Sequence, residues 1–442
     1  MLRRLTAAAF MLSIGPSVLA SGCSSESSDG AGGGGNAGAG AQGGSAGQTA
    51  SCDPSPQRCD PLGLDRPFRV SEHSAVYAQD RLEMIVFGGT NATPKQCEFP
   101  PPQYNGETWI FDDPCGKWTQ VQGGGPSPRG RHNAAYGDGK VWLFGGRYRD
   151  SAAAGTAPYT LYDDLWAFDT SARTWSQVAV AGAPPPRVNA ALVWDDKRHR
   201  LWLYGGNSAT SGSTYTALGD LWSFDPMAGS WQQHAPAGEL PAARLFHAGL
   251  YDAKRDRFVI YGGTDKFQVS GTIQYMRDIW ALDLETVTWT RLTDGLATGP
   301  DGRFWAGLVH DTAADEYLLF GGHDDTTLGN RNDVWRFAPD GLAWTQVDLG
   351  DPLKTQPVDF CNFPPDFTEV KVALPERRSA HSMVYGTTCG RTLIFGGKTD
   401  CGAVDDVWGV KALTFEERSA ATEGEVCHRW RPDPGACSNL CN

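Results

Sequence analysis

No segment of this 442-residue chain repeats apolar residues at the three- and four-residue intervals of an amphipathic helix, which excludes helical bundles and doubly wound α/β folds. Blocks of like charge are missing too. The 38 Lys and Arg and 51 Asp and Glu are scattered, for a formal charge of −13. A nucleic-acid partner is therefore not expected, and the acidity concerns solubility rather than a defined acidic site. No Cys-x-x-Cys occurs, so the spacing of a structural zinc site is absent. The apolar run from Leu5 to Ala20 is too short for a comfortable transmembrane span.

That run instead follows Arg3-Arg4 and ends in Ala20-Ser21-Gly22 before Cys23, the layout of a secretory signal with a lipid-acceptor cysteine. Residues 1–22 are expected to be removed and Cys23 to be diacylated, which suffices for stable anchoring. Residues 23–51 are Gly, Ser, Ala and Asn with almost no sizeable apolar side chain, so they are expected to form a disordered tether. The folded domain is expected over 52–442.

What the chain does have is a repeat. Tryptophans nine residues apart recur as Trp109/Trp118, Trp166/Trp175, Trp222/Trp231, Trp280/Trp289 and Trp335/Trp344. Diglycines recur at Gly88, Gly145, Gly205, Gly262, Gly321 and Gly396, each after an apolar run such as Val141–Phe144 that reads as a strand buried on both faces. After each diglycine stands an acidic-x-Trp tripeptide, from Glu107-Thr108-Trp109 to Asp406-Val407-Trp408. Period-two geometry places its acid and Trp on one strand face. Before five of the diglycines stand Arg129, Arg187, Arg244, Arg303 and Arg378. His132, His247 and His381 follow their arginines by three, and the first repeat has Val70 and His73 at these places.

This order of Arg-x-x-His, Gly-Gly, Asp-x-Trp and Trp resembles the kelch repeat over roughly residues 66–430. The resemblance implies an all-β, six-bladed β-propeller with four antiparallel strands, a to d, per blade. It also implies kinship with bacterial secreted or lipoprotein kelch proteins and with the galactose oxidase-like central-domain superfamily. The sixth unit departs from the pattern. After Trp408 the next tryptophan is Trp430, so its outer strand is expected either after an insertion or from the N-terminal side.

In such a meander the a–b and c–d turns share one face, and the b–c and d–a connections share the other. Cys97, Cys361 and Cys401 then lie on one face and Cys115 and Cys389 on the opposite one, which disfavours a Cys97–Cys115 bond. All ten cysteines beyond Cys23 are disulfide candidates. Bonds from Cys52 or Cys59 to Cys427, Cys437 or Cys441 are expected to close the ring.

The c–d connection is constant in five blades, while the b–c and d–a connections, which share the other face, vary in length. The distance from the second glycine to the acid runs 18, 18, 14, 15, 11 and 9 residues, and the Trp344–Arg378 connection carries an insertion. That face is the expected binding surface. Its loops hold Tyr104, Arg147, Tyr148, Tyr159, Tyr162, Tyr215, Lys266, Tyr275, His323 and Arg331. Nearer the channel, the residue before each histidine position forms an uneven ring of Glu72, Arg131, Asn189, Phe246, Trp305 and Ala380. The candidate ligand-binding set is Arg147, Tyr148, Tyr162, Phe246, Lys266, Trp305, His323 and Arg331. The repeated tryptophans read as interblade core and the histidines as interblade hydrogen-bonding groups.

The family resemblance leaves two functions. The first is a protein- or glycan-binding module, monomeric and without cofactor or metal, anchored in the envelope of a bacterium at the outer membrane or cell surface. The second is a metal-independent sugar epimerase or mutarotase of the sialic acid epimerase type. There Arg131 would grip an anion and Glu72 would move a proton. Copper oxidation and iron-dependent chemistry find no matching motif in the chain.

Overall fold

The computed structural model describes residues 51–60, 65–92, 101–153, 157–211, 214–268, 273–324, 329–355, 368–400 and 402–422. Residues 1–50, which include the expected signal sequence, Cys23 and all but the last residue of the expected tether, lie outside them, as do Cys97, Cys361, Cys401, Cys427, Cys437 and Cys441. Among the described residues no helix is long and apolar enough to cross a membrane. One helical turn, Pro56–Cys59, precedes six antiparallel meanders.

Blade 1 comprises Ser74–Ala78, Glu83–Phe87, Thr108–Asp112 and Lys117–Val121, and blade 2 comprises Asn133–Gly137, Lys140–Phe144, Leu165–Asp169 and Thr174–Val178. Blade 3 is Ala191–Asp195, Arg200–Asn207, Thr214–Asp225 and Ser230–His234. Blade 4 is Ala248–Asp252, Arg257–Tyr261, Ile279–Asp283 and Thr288–Thr293. Blade 5 is Gly307–Asp311, Glu316–Phe320, Val334–Ala338 and Ala343–Asp348. Blade 6 is Ser382–Gly386, Arg391–Phe395, Val407–Lys411 and Thr414–Ser419. In every blade the b strand, which carries the apolar run, sits between a and c.

The sixth blade corrects an expectation. Its outer strand is neither delayed nor borrowed: Thr414–Ser419 pairs with Val407–Lys411, and Phe415 opposes Val410 where Trp118 opposes Phe111 in blade 1. A shorter c–d hairpin and a Trp-to-Phe exchange hid this strand, because the packing position needs a large ring and not tryptophan itself.

The repeated polar residues form one internal lock. Arg129, Arg187, Arg244, Arg303 and Arg378 are fully buried. Each guanidinium grips both carboxylate oxygens of its own blade's Asp164, Asp220, Asp278, Asp333 or Asp406. For Arg378 and Asp406 the two bonds are 2.6 and 2.8 Å. The same guanidinium donates to the carbonyl of the first glycine, and the carboxylate accepts the indole N–H of the tryptophan two residues on. All the charge-bearing groups are thereby answered, which a buried pair requires. The acid and tryptophan do share a strand face. The acid's other partner, the arginine, comes from far upstream and was not legible as such.

The arginine's backbone joins neighbouring blades. The second glycine of one blade donates its N–H to the arginine carbonyl of the next, as Gly89 does to Arg129 and Gly322 to Arg378. A Cβ on Gly88 would stand 2.7 Å from the Arg129 carbonyl oxygen, and both diglycine residues have positive φ, so only glycine fits. At the closing seam Gly397 donates to Val70, so the bond persists where the arginine side chain is missing. Val70 also joins a core shared by blades 1 and 6 with Tyr77, Met84, Leu393, Phe395 and Val407.

The disulfides close the seam with partners other than those expected. Cys52 bonds Cys389 in the a–b turn of blade 6, and Cys59 bonds Cys115 in the c–d turn of blade 1. Cys115 and Cys389 do lie on the same face. Both turns are reachable from the N-terminal segment because Arg58 docks it on Asp112 at 2.7 Å.

Replacing Arg378 by Ala leaves the Asp406 carboxylate buried without its counter-charge. The expected loss is about 3–5 kcal/mol, read as a lowered urea midpoint with unchanged slope.

Candidate functional site

The six residues around the channel mouth share one conformation. Glu72, Arg131, Asn189, Phe246, Trp305 and Ala380 all have φ between 51° and 60°, the left-handed region that side-chain-bearing residues rarely adopt. The cause is a closed backbone ring. The N–H groups of Arg131, Asn189, Phe246, Trp305 and Ala380 each donate to the carbonyl of the preceding ring residue, and Glu72 donates to Ala380, at 2.8 to 3.3 Å. Six N–H groups and six carbonyls satisfy one another, and this offsets the unfavourable φ. The sequence located these positions but not their conformation.

The residue before each ring position bridges to the residue after the diglycine, as in Gly130 with Arg147 and Phe304 with His323. The ring and the b–c loops therefore belong to one face. Several of those loops extend into short hairpins, Arg147–Tyr148 with Thr160–Leu161 and His323–Asp324 with Gly329–Asn330. In blade 3 the extended c strand pairs with Lys266–Gln268 of blade 4.

On one side of the mouth stands a charged cluster. Arg131 donates to Glu72 at 2.6 Å, Arg147 lies 3.5 Å from the other Glu72 oxygen, and Arg147 also donates to Tyr104 Oη at 2.9 Å. Both guanidiniums reach Tyr215 Oη, at 3.4 and 3.3 Å. The Arg147 guanidinium also lies 3.9 Å from the Tyr159 ring centroid. Burial opposes ionisation of Glu72, yet the charges of Arg131, Arg147 and Lys398 outweigh it and hold its pKa at about 2. The Tyr215 phenol is likewise pulled below its ordinary value, burial being outweighed by the two arginines.

On the other side stands an aromatic cluster. Phe246 packs on Trp305 at 4.5 Å and on Phe304 at 5.3 Å between ring centroids, and Tyr275 stacks on Phe304 at 5.7 Å. Arg131 joins the halves, its guanidinium 4.9 Å from the Trp305 ring. His323 reaches the cluster through Phe304 at 5.3 Å, while its Nδ1 contacts Asn330.

Thus Glu72, Arg131, Arg147, Phe246, Trp305 and His323 come together. Tyr148 lies one contact out, against Tyr104. Tyr162 instead covers the Arg129 guanidinium at 3.9 Å, Arg331 is buried against Asp324 at 2.6 Å, and Lys266 is exposed on the hairpin of blade 4. Planar aromatic faces beside two guanidiniums suit stacking and hydrogen bonding to a polar partner. A carboxylate held ionised is a poor proton donor at neutral pH.

The histidines sit between blades. His73 Nε2 meets Ser382 Oγ at 2.9 Å, and His132 Nε2 meets Ser74 Oγ at 2.8 Å. Among the described residues the one group with metal-like spacing is Cys52, Asp113 and Cys389, and its two sulfurs are bonded to each other. Seven of the eleven repeat tryptophans are buried, while Trp166, Trp175, Trp222 and Trp335 are half-exposed, so the core reading holds for most and not all.

Residues 58–250 and 199–358 match the family model described as the KLHDC2/KLHL20/DRC7 Kelch-repeats domain. The chain is 27% identical to acyl-CoA-binding domain-containing protein 5 of Arabidopsis thaliana over 49% of its own length and 31% of that protein's. It is 24% identical to kelch domain-containing protein 10 of Rattus norvegicus, over 66% of the chain and 64% of that protein. It is 27% identical to N-(sulfonatooxy)prop-2-enimidothioate sulfolyase of Thlaspi arvense, over 53% and 67%. The chain thus spans less than a third of the Arabidopsis relative.

Burial lowers the pKa of His73, His247 and His381 to about 3 from 6.5. Below pH 6.5 the unfolded chain takes up protons there that the folded chain refuses until about pH 3. Stability is therefore complete above pH 6.5 and falls as pH is lowered, by up to about 1.4 kcal/mol per unit per histidine. Urea titrations from pH 7 to 4 should show this decline, with a shallower slope in His247→Gln.

Proposed function

The chain belongs to the kelch-repeat family, and on that premise we propose that it is an exported, lipid-anchored propeller that captures a protein or glycan partner at its channel mouth. Kelch propellers generally bind proteins. The observation that carries the location is the meeting of two guanidiniums, three tyrosines and the Phe246/Trp305 pair on the face that carries the longest and most variable loops. Aromatic and arginine side chains are the usual anchors of such surfaces, because they bury much area at small conformational cost.

The anchored, extracytoplasmic part of the reading is supported by the N-terminal charge, apolar run and small residues before Cys23. It is also supported by two disulfides among the described cysteines, which suit an oxidising compartment. The lipid-acceptor pattern is what supports placement in a bacterial envelope. The epimerase reading has less support, since Glu72 is engaged by two arginines and held ionised.

Capture of envelope proteins and immobilised glycans by the secreted chain tests the surface. Trp305→Ala should weaken a captured partner at least tenfold, and Met227→Ala, exposed on the opposite face, should leave it unchanged; equal loss in both would remove the mouth as the site. For the anchor, Cys23→Ser should move the protein from the membrane to the soluble fraction after cell breakage, and continued sedimentation with membranes would refute lipidation.

A further inference from the structure

The outer edge between blades 1 and 2 differs from the edges between blades 2 and 3 and between blades 3 and 4. Ala181 and Ala237 each stand six residues after the outer-strand tryptophan of their own blade, and Gly124 is the matching residue after Trp118. Ala181 pairs in parallel with Ser230 of blade 3, and Ala237–Gly238 pairs in parallel with Thr288–Trp289 of blade 4. Those connectors run along the blade edge, and Trp231 and Trp289 are buried. Between blades 1 and 2 the connector is Gly123-Gly124-Gly125, and among the described residues it makes no such bridge. A cavity of about 420 Å³ opens there, lined by the triglycine together with Gln122, Trp166, Arg173, Thr174 and Trp175.

Of the five outer-strand tryptophans, Trp175 alone is half-exposed. Its ring is held in place: the indole N–H donates to Thr108 Oγ1 at 2.8 Å, and Phe87 and Phe168 pack on it at 5.3 and 5.2 Å. A Cβ on Gly125 would lie 2.9 Å from this ring, so glycine there lets the chain pass flat against the indole. The charges on the polar side are paired: Arg173 meets both oxygens of Glu83 at 2.8 and 2.7 Å, and the neighbouring Asp112 is paired with Arg58 at 2.7 Å. A second depression of about 270 Å³ shares Gln122 and Arg173 with the first and adds Glu83, Asp112 and Gln120.

We propose that this groove is a binding subsite for a neutral oligosaccharide, with Trp175 and Trp166 as its platform. A sugar ring has an apolar C–H face and a rim of hydroxyls that both donate and accept. The first matches a fixed indole face, and the second matches a guanidinium–carboxylate pair flanked by amides and Thr174. A charge-neutral groove selects against anions and cations. A proline-rich peptide offers carbonyl acceptors but no hydroxyls for Glu83 and Asp112. Two adjoining depressions give room for more than one sugar unit. The subsite is separate from the mouth and stands whether or not the mouth captures a partner.

Isothermal titration of the full chain with cellotriose, maltotriose, chitotriose and mannotriose tests it. At least one should bind, and Gly124→Leu should weaken that binding tenfold or more. A Cβ on Gly124 meets nothing within 4 Å, so the variant fills the groove without disturbing the fold, and its thermal midpoint should match the wild type. Trp175→Phe keeps a ring against Phe87 and Phe168 and should lose at least threefold. Trp305→Ala should leave sugar binding unchanged, which separates this subsite from the mouth. No heat with any of the four sugars at millimolar concentration, undiminished binding in Gly124→Leu, or binding of a decaproline peptide in their place would overturn the proposal.

Discussion

Every blade but the first is organised by a buried arginine whose two ends do different work. The guanidinium binds its own blade's aspartate and first glycine carbonyl, while its backbone carbonyl takes a hydrogen bond from the second glycine of the preceding blade. A single residue therefore couples folding within a sheet to docking between sheets. A buried ion pair of this kind tolerates no partial version, since removing one member strands the other in a low-dielectric interior. The first glycine of each pair follows from the same contact, because a Cβ there would collide with the carbonyl of the next blade's arginine, or of Val70 at the closing seam. The first blade shows what is dispensable. Val70 retains the backbone bond without a guanidinium, and the apolar seam with blade 6 and two disulfides stand beside it.

On this regular scaffold the mouth is irregular. A closed circuit of six backbone hydrogen bonds holds six unlike side chains at equivalent positions and in one strained conformation. The backbone is thus indifferent to which residue occupies a ring position, and charge gathers at blades 1 and 2 while aromatic surface gathers at blades 3 to 5. Arg131 is the joint between the halves, in contact with Glu72 and Trp305 together. Preorganisation of this kind lowers the entropic cost of engaging a partner.

Much of the fold could be read from residue spacing. Diglycines, the acid-x-Trp tripeptides and the paired tryptophans recur in order, each marks a strand, and period-two alternation gives the face each side chain takes. The outer strand of blade 6 escaped notice because Phe415 fills the tryptophan position two residues early. The disulfide partners escaped for another reason. Cysteine spacing says which face a residue occupies, whereas pairing depends on where the N-terminal segment docks, and that is decided by Arg58 against Asp112.

The candidate site divides in the same way. Loop-length variation alone identified the face, and the equivalent ring positions alone supplied Glu72, Arg131, Phe246 and Trp305, since both are properties of order along the chain. Contact was decided by tertiary structure: Arg147 on Glu72, Tyr215 between two guanidiniums, Tyr162 diverted to Arg129, and Trp175 half-exposed beside three glycines. The physical reason is that periodicity records which face a side chain takes, while contact requires distance across blades separated by tens of residues. Only closing the circle brings those residues within reach of one another.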